Sequence, residues 1–101
     1  MLELVQAKHA EIMALCQQYN VSELAVFGSV LTPEFNLSSD LDFLVVFHEM
    51  LPAERSEAYF GLLFGLADMF GRNVDLVVRD AIRNPYFKRE VLKTAQGLYA
   101  A

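Results

Sequence analysis

Two aspartates, Asp40 and Asp42, open an otherwise apolar stretch a short distance after the pair Gly28-Ser29. Residues i and i+2 of a strand point to the same side, so the two carboxylates are expected to face one way. Like charges held this close raise a pKa or weaken the strand unless a cation lies between them, and hard carboxylate oxygens suit Mg²⁺. The spacing therefore predicts a magnesium site.

A third carboxylate, Asp75, interrupts the apolar run Val74–Val78. A charge inside an apolar strand is costly, so this residue needs the same explanation as the first two acids. If the strand of Asp75 pairs beside the strand of Asp42, all three acids, Asp40 included, converge on one site able to hold two metal ions about 3.5–4 Å apart. We predict these three acids as the catalytic and metal-binding residues.

Gly28 and Ser29 supply the complementary part of the predicted site. Glycine lets the backbone approach a ligand closely, serine caps a helical turn, and exposed N–H groups at such a turn favour phosphate. With the acids they describe a site for a nucleoside triphosphate, with the attacking hydroxyl near Asp75. Gly-Ser alone is also typical of an ordinary turn, and Asp-x-Asp of a surface strand, so the prediction depends on their combination. No P-loop or Gly-x-Gly-x-x-Gly pattern is present, so kinase-like and Rossmann folds have no support.

The segments that must position these residues alternate between helical and strand patterns. The first has Val5, Ile12 and Cys16 at helical spacing, with His9 on the same face and expected to be partly buried. Apolar runs predict strands at ELAVFG, LDFLVVF and NVDLVV, and a short helical turn followed by a loop over residues 29–39. With two later helices, this order predicts an α/β or α+β fold, a small mixed sheet flanked by helices.

The two later helices each carry a second surface. Glu54–Phe70 has an apolar stripe, and Phe60 and Phe64 lie about a third of a turn away from it. With Gly61 and Gly65, this extra surface fits a wide core face or a partner site equally well. Asn84-Pro85 predicts the capped start of a last helix. That helix places four apolar residues on one side and three cations on another: Phe87, Val91, Ala95 and Leu98, and Lys88, Arg89 and Lys93.

Composition narrows the class of protein. The chain has 101 residues, so we expect one domain over residues 1–101. A hydrophobic fraction of 54% is high for this length and makes a homo-oligomer or a hetero-oligomer plausible. No run is long and apolar enough to span a membrane, and the acidic N-terminus does not resemble a signal peptide, so residence in the cytoplasm is expected. Cys16 is the single cysteine, which excludes an internal disulfide and indicates core packing.

Charge is unevenly distributed along the chain. The net charge is −5, which disfavours direct nucleic-acid binding because the phosphate backbone rewards clustered cations. Residues 1–78 hold 3 Lys or Arg against 11 Asp or Glu, a net −8, whereas residues 79–101 hold 5 against 2, a net +3. The C-terminal segment is therefore the basic region.

The motifs resemble those of the DNA polymerase β-like nucleotidyltransferase superfamily, whose signature is Gly-Ser and, after a loop, Asp-x-Asp. Gly28, Ser29, Asp40 and Asp42 match it, with ten residues between Ser29 and Asp40. Within the superfamily the chain looks like a minimal nucleotidyltransferase (MNT), the antitoxin of HEPN/MNT toxin–antitoxin pairs. The resemblance covers nearly the whole length, including NVDLVV and the closing NPYFKREVLKTAQGLYA.

This resemblance implies a function for each matched residue. Asp40 and Asp42 would hold Mg²⁺, Asp75 would complete the metal site or assist deprotonation of the acceptor, and Gly28 and Ser29 would grip the triphosphate. The family implies transfer of AMP from ATP to a tyrosine of the HEPN toxin, a ribonuclease that is thereby silenced. Direct binding of the toxin also belongs to the family's behaviour.

Two alternatives remain open from the sequence. One is a non-catalytic antitoxin that masks its toxin by binding, through Phe60, Phe64 and the basic last helix. The other is a catalytic subunit for a small-molecule acceptor, completed by another chain.

The sequence also departs from many relatives, because no Lys or Arg lies between Ser29 and Asp42. Arg72, Arg79 or the last helix are the candidates for the missing positive charge.

Overall fold

The computed structural model describes residues 2–101, which form four helices, four strands and two short 3₁₀ turns. The predicted strands and the predicted turn after the first strand are confirmed. The 3₁₀ turns are Gly28–Leu31 and Arg79–Ala81. The helices are α1 (Leu2–Gln6), α2 (His9–Gln18), α3 (Pro52–Phe70) and α4 (Pro85–Thr94), and the strands are β1 (Val21–Phe27), β2 (Leu41–Phe47), β3 (Val74–Val78) and β4 (Gln96–Ala100).

The four strands form one mixed sheet in the order β3-β2-β1-β4. Strand β1 pairs antiparallel with both β2 and β4, whereas β2 and β3 are parallel. A parallel pair needs a crossover connection, and α3 supplies it. The predicted mixed sheet is confirmed, and so is the assumed pairing of the strands that carry Asp42 and Asp75.

Helices cover both faces of the sheet. Alternate residues of β2 point to opposite faces, so Phe43 packs in the large core with α1, α2 and α3, and Leu44 packs with Val91 of α4. This explains why β2 is apolar at nearly every position after Asp42. Cys16 is buried in the large core, as predicted, and burial raises the pKa of its thiol to about 12. Within residues 2–101, no helix combines the length and the apolar character needed to cross a membrane.

The first helical segment differs from the prediction. It is divided into α1 and α2 at Ala7 and Lys8, and the N–H of Lys8 bonds the carbonyl of Val5 at 3.1 Å, a tighter turn than an α-helix has. His9 begins α2 and is exposed, so its expected partial burial was wrong. Because the helix is interrupted between Gln6 and His9, His9 does not continue the face on which Val5 is buried. Asn20, which follows α2, adopts a left-handed conformation, with φ of 56°, as is common after the end of a helix.

The end of the chain also differs from the prediction. The last helix stops at Thr94, and residues 96–100 form β4, which pairs with the edge of β1. Leu98 was wrongly assigned to the helix. The backbone hydrogen bonds of a helix are formed within its own segment. Those of β4 are formed with β1, about seventy residues earlier in the chain. The local sequence pattern therefore does not indicate this strand.

Gly61 and Gly65 belong to the internal contact between α2 and α3. A Cβ atom on Gly61 would overlap the ring of Tyr19, and one on Gly65 would lie 2.8 Å from Cδ1 of Leu15. These glycines therefore allow close helix packing within the chain and are part of the core face. Phe60 and Phe64 remain outside that contact, 49% and 65% exposed, with their rings stacked at 6.0 Å.

Replacing Asn84 with alanine is expected to lower the free energy of unfolding by about 1 kcal/mol. Oδ1 of Asn84 accepts the N–H of Tyr86 at 2.9 Å and that of Phe87 at 3.2 Å, so the predicted cap of α4 is confirmed. Urea denaturation monitored by circular dichroism measures the change. Asn84→Asp is the control, because aspartate keeps the accepting oxygen. A loss of the same size in both variants would contradict the capping role.

Candidate active site

Asp42 lies near the start of strand β2 and is paired with a residue on each of the two neighbouring strands. It is in register with Asp75 on the parallel strand β3 and with Phe27 on the antiparallel strand β1. Phe27 is followed at once by Gly28, and a Cβ atom on Gly28 would overlap Oδ2 of Asp42. The carboxylate of Asp42 is therefore half-buried directly against the glycine of the Gly-Ser pair.

Gly28 turns the chain sharply at the end of β1. Its φ is 79°, a conformation that favours glycine, and the 3₁₀ turn Gly28–Leu31 begins there. The turn is closed by Thr32, whose N–H and hydroxyl each donate to the carbonyl of Ser29 at 2.9 Å. The left-handed glycine thus brings the start of a helical turn, an end that favours phosphate, next to Asp42.

The three predicted acids lie close enough to interact. Burial raises the pKa of Asp42 above its ordinary value, and the negative charges of Asp75 and then Asp40 raise it further. Asp40 immediately precedes β2 and Asp75 lies within β3, and both are exposed. The structure therefore brings Asp40, Asp42 and Asp75 together at one edge of the sheet, where an added positive charge would relieve their repulsion.

The donor set fits Mg²⁺ when the cation is shared with a nucleotide. Among residues 2–101, no three His, Cys, Asp or Glu side chains are arranged to hold a metal ion by themselves. Mg²⁺ is ordinarily held by one or two carboxylates together with substrate phosphates and water, and it favours oxygen ligands. Asp40, Asp42 and Asp75 supply only oxygen donors, and the absence of a side chain on Gly28 lets the backbone lie against the carboxylate of Asp42. These residues therefore fit a cation that arrives with a triphosphate.

A contact from α3 holds the strand that carries Asp75. The hydroxyl of Tyr59 donates to the carbonyl of Leu76 at 2.7 Å, across the side of β3 that faces the helix. Leu76 itself is buried in the large core. Strand β3 lies at the edge of the sheet, so it has a strand neighbour on one side only, β2. The Tyr59 bond and the pairing with β2 together fix the position of Asp75 relative to Asp42.

Two of the proposed sources of positive charge are engaged elsewhere. Arg79 forms an ion pair with Glu23 of β1 at 3.1 Å. Glu23 is four residues from Phe27, the β1 residue in register with Asp42. Arg79 therefore lies toward the end of the sheet opposite Asp42. Arg72 donates from Nη1 to the carbonyls of Asn36 and Ser39. These contacts give both arginines structural roles.

The basic last helix is the remaining source, through Lys93. A groove of about 1080 Å³ runs between the Gly28 turn and α4, and Lys93 and Thr94 line it. Phe27 and Phe87 also line this groove and meet edge to face at 6.3 Å between ring centroids. Neither Phe27 nor Phe87 was predicted to belong to the site. The position of Phe27 directly before Gly28 was the one available signal.

A family model matches most of the chain. The model for the nucleotidyltransferase domain matches residues 11–98. A protein of Methanocaldococcus jannaschii, provisionally named a protein adenylyltransferase, is 38% identical over 84 residues, which cover 83% of this chain and 81% of that protein. The matched segments contain Gly28, Asp42 and Asp75.

Solved structures show the same fold. One provisionally described as a minimal nucleotidyltransferase has a TM-score of 0.77 and 30% identity, covering 94% of this chain and 93% of that chain. Another is a complex described as a tri-AMPylated Shewanella oneidensis HEPN toxin with MNT antitoxin. It has a TM-score of 0.66 and 20% identity, covering 95% of this chain and 72% of that chain. At this identity the second likeness shows the fold alone.

Proposed function

Because the chain belongs to the nucleotidyltransferase domain family, we propose that it is an Mg²⁺-dependent antitoxin that transfers AMP from ATP to a tyrosine of a HEPN ribonuclease toxin. The modified toxin is thereby neutralised. The relative named provisionally as a protein adenylyltransferase supports a protein acceptor. The AMPylated HEPN toxin in the solved complex of similar fold supports the class of partner.

One observation carries the proposal. Gly28, which must be left-handed and lack a side chain, lies against the carboxylate of Asp42, and Asp42 is in register with Asp75. A turn that accepts phosphate and a group of acids that accepts a cation are thus adjacent. A purely structural role does not explain this combination, because the negative charges of Asp75 and Asp40 oppose the ionisation of Asp42.

Each group has a part in the transfer. The phenol oxygen of the acceptor tyrosine attacks the α-phosphorus of ATP, an O–P bond forms, and the bond from that phosphorus to the bridging oxygen breaks to release pyrophosphate. The phenol proton passes to Asp75, which is exposed and so reachable by a partner's side chain. The Gly28–Leu31 turn and Ser29 hold the triphosphate, and Asp40 and Asp42 hold Mg²⁺, which supplies neutralisation of phosphate charge when bound.

The groove beside the turn accounts for the remainder of the nucleotide. Phe87, 44% exposed, offers ring surface for a base beside the buried Phe27, and Lys93 offers the positive charge that the loop after Ser29 lacks. Glu3 and Glu90 line the same groove, so the charged side chains of its lining, with Lys93, sum to −1 before a ligand binds. The nucleotide would therefore lie from the acids across Gly28 toward α4.

Transfer is tested by incubating the purified chain with ATP, Mg²⁺ and the product of the neighbouring gene. We expect an AMP adduct on a tyrosine of that partner, detected by mass spectrometry, and loss of its ribonuclease activity. The variant Asp40→Asn with Asp42→Asn is the inactive control. If the two proteins bind and the partner stays unmodified, the enzymatic proposal is wrong.

A second candidate function is neutralisation by binding alone. The exposed, stacked rings of Phe60 and Phe64 favour it, because two adjacent aromatic side chains on one helix are typical of a protein interface. On this hypothesis, Phe60→Ser with Phe64→Ser abolishes protection of cells from the toxin, and the Asp40→Asn/Asp42→Asn variant protects as well as wild type. Loss of protection by the acid variant, with the complex intact, would reject binding alone.

A further inference from the structure

The loop before Asp40 is a closed turn with few ties to the rest of the chain. Oδ1 of Asn36 accepts the N–H of Ser38 at 2.9 Å and its hydroxyl at 2.7 Å, and the N–H of Ser39 bonds the carbonyl of Asn36 at 3.1 Å. These bonds shape the turn Asn36–Ser39. They do not determine where the turn lies relative to the sheet.

Arg72 provides that tie from the segment between α3 and β3. Its Nη1 donates to the carbonyl of Ser39 at 3.0 Å and to that of Asn36 at 3.2 Å. Its guanidinium also lies over the ring of Phe35, 4.8 Å from the centroid. A planar guanidinium stacks on a ring while its N–H groups donate in the plane, a combination that lysine reproduces only in part. One side chain thus binds both ends of the turn and the residue before it.

The residue after Asp40 is held by the same segment. The N–H of Leu41 donates to the carbonyl of Asn73 at 3.1 Å. Asp40 is therefore flanked by Ser39, bound by Arg72, and by Leu41, bound by Asn73. Asp75 follows only two residues later in this segment, so the strand that carries one acid also places another.

We propose that Arg72 is the positioning residue of Asp40. Its guanidinium fastens the Asn36–Ser39 turn to the start of β3, so that the exposed carboxylate of Asp40 faces Asp42 and Asp75. This inference depends on the proposed function only for what the acids bind. Arg72 thus acts by positioning Asp40. The sequence had suggested Arg72 as a source of the positive charge that the loop after Ser29 lacks.

The test measures Mg²⁺-dependent binding of AMP-PNP by calorimetry. Arg72→Met keeps an unbranched stem against Phe35 but removes both donors, and we expect about tenfold weaker binding in Mg²⁺, the lower end of what loss of an orienting partner costs. Binding without Mg²⁺ should be unchanged, which a general loss of structure would not produce. Arg72→Lys should fall between wild type and Arg72→Met.

The control is Arg55→Met. Arg55 also lies over an aromatic ring, at 5.8 Å from the centroid of Phe47, which is at the opposite end of β2 from Asp40. We expect wild-type binding from this variant.

A double-mutant cycle separates positioning from a direct contact. If Arg72 acts through Asp40, adding Arg72→Met to Asp40→Asn should weaken binding no further than Asp40→Asn alone. Fully additive losses, or wild-type binding by Arg72→Met, would overturn the proposal.

Hydrogen exchange provides a readout that does not depend on nucleotide. Amides of residues 36–41 should exchange faster in Arg72→Met than in wild type or Arg55→Met. If wild type does not bind AMP-PNP with Mg²⁺, the proposed function fails, and exchange alone decides the inference. Faster exchange at residues 36–41 then supports the fastening by Arg72, and unchanged exchange overturns it.

Discussion

Replacing Asp42 with asparagine is expected to reduce AMP transfer on the order of 10⁴-fold, the scale on which one member of a catalytic set acts. Asp42 is the central acid, because it is in register with Asp75, lies against Gly28 and follows Asp40 by two residues. Asparagine has nearly the same shape, so the fold should be retained. The measurement is the rate of AMP adduct formation on the partner in Mg²⁺ and ATP.

The same substitution should stabilise the protein free of ligands, in a way that depends on pH. The folded-state pKa of Asp42 is raised above its unfolded value, by burial first and then by Asp75 and Asp40. Between the two pKa values, the folded state keeps a proton on Asp42 that the unfolded chain has released. The free energy of unfolding therefore falls as the pH rises from the unfolded pKa through the folded one. Asparagine does not titrate, so the variant escapes this loss.

Thermal unfolding across the pH range measures the effect. The difference in Tm between Asp42→Asn and wild type should be smallest below the unfolded pKa and should level off above the raised pKa of Asp42. Asp68→Asn, an exposed change on α3, controls for the loss of one negative charge. An equal rise in Tm for both variants at neutral pH would contradict repulsion within the site. Mg²⁺ with AMP-PNP should raise the Tm of wild type and not that of Asp42→Asn.

Replacing Gly28 with alanine is expected to cost about 100-fold in transfer rate, since small displacements of reacting groups have effects of this size. Alanine at φ of 79° is strained, and its Cβ would overlap Oδ2 of Asp42. The carboxylate or the turn must move, and either movement separates the turn that we propose binds phosphate from the acids. Strain and displacement together should lower the free energy of unfolding by about 1–3 kcal/mol.

Gly71 provides a matched control for this substitution. It also has a positive φ, 61°, but a Cβ there would meet nothing within 4 Å. Gly71→Ala should therefore show the backbone strain, about 1–2 kcal/mol, without loss of transfer. Urea denaturation and the AMP-transfer assay are applied to both variants. Equal activity in the two would show that the contact between Gly28 and Asp42 has no part in the reaction.

Local chemistry made several features predictable. Strand β2 was located at Leu41–Phe47 because its residues are apolar on both faces, and only a strand covered on two sides has that pattern. The Asn84 cap was predictable because a helix start depends on a few neighbouring atoms. The same holds for the turn at Gly28.

Long-range contacts decided the features that the prediction missed. Strand β4 contains Gly97 and is half exposed, so it has no apolar pattern, and its stability comes from pairing with β1. The break between α1 and α2, which exposes His9, depends on how each helix fits the sheet. Phe27 and Phe87 form one wall only because α4 folds back across the end of β1.

The amino-acid sequence by itself determined which groups are present: Gly28-Ser29 at a turn, and Asp40, Asp42 and Asp75 at the start of or within apolar strands. Their identities follow from composition and spacing, because each motif is local. The tertiary structure decided that they form one site. The parallel pairing of β2 with β3 puts Asp42 beside Asp75, and Arg72 holds the turn before Asp40, because sheet register and a side-chain contact 33 residues apart arise only when distant segments pack together.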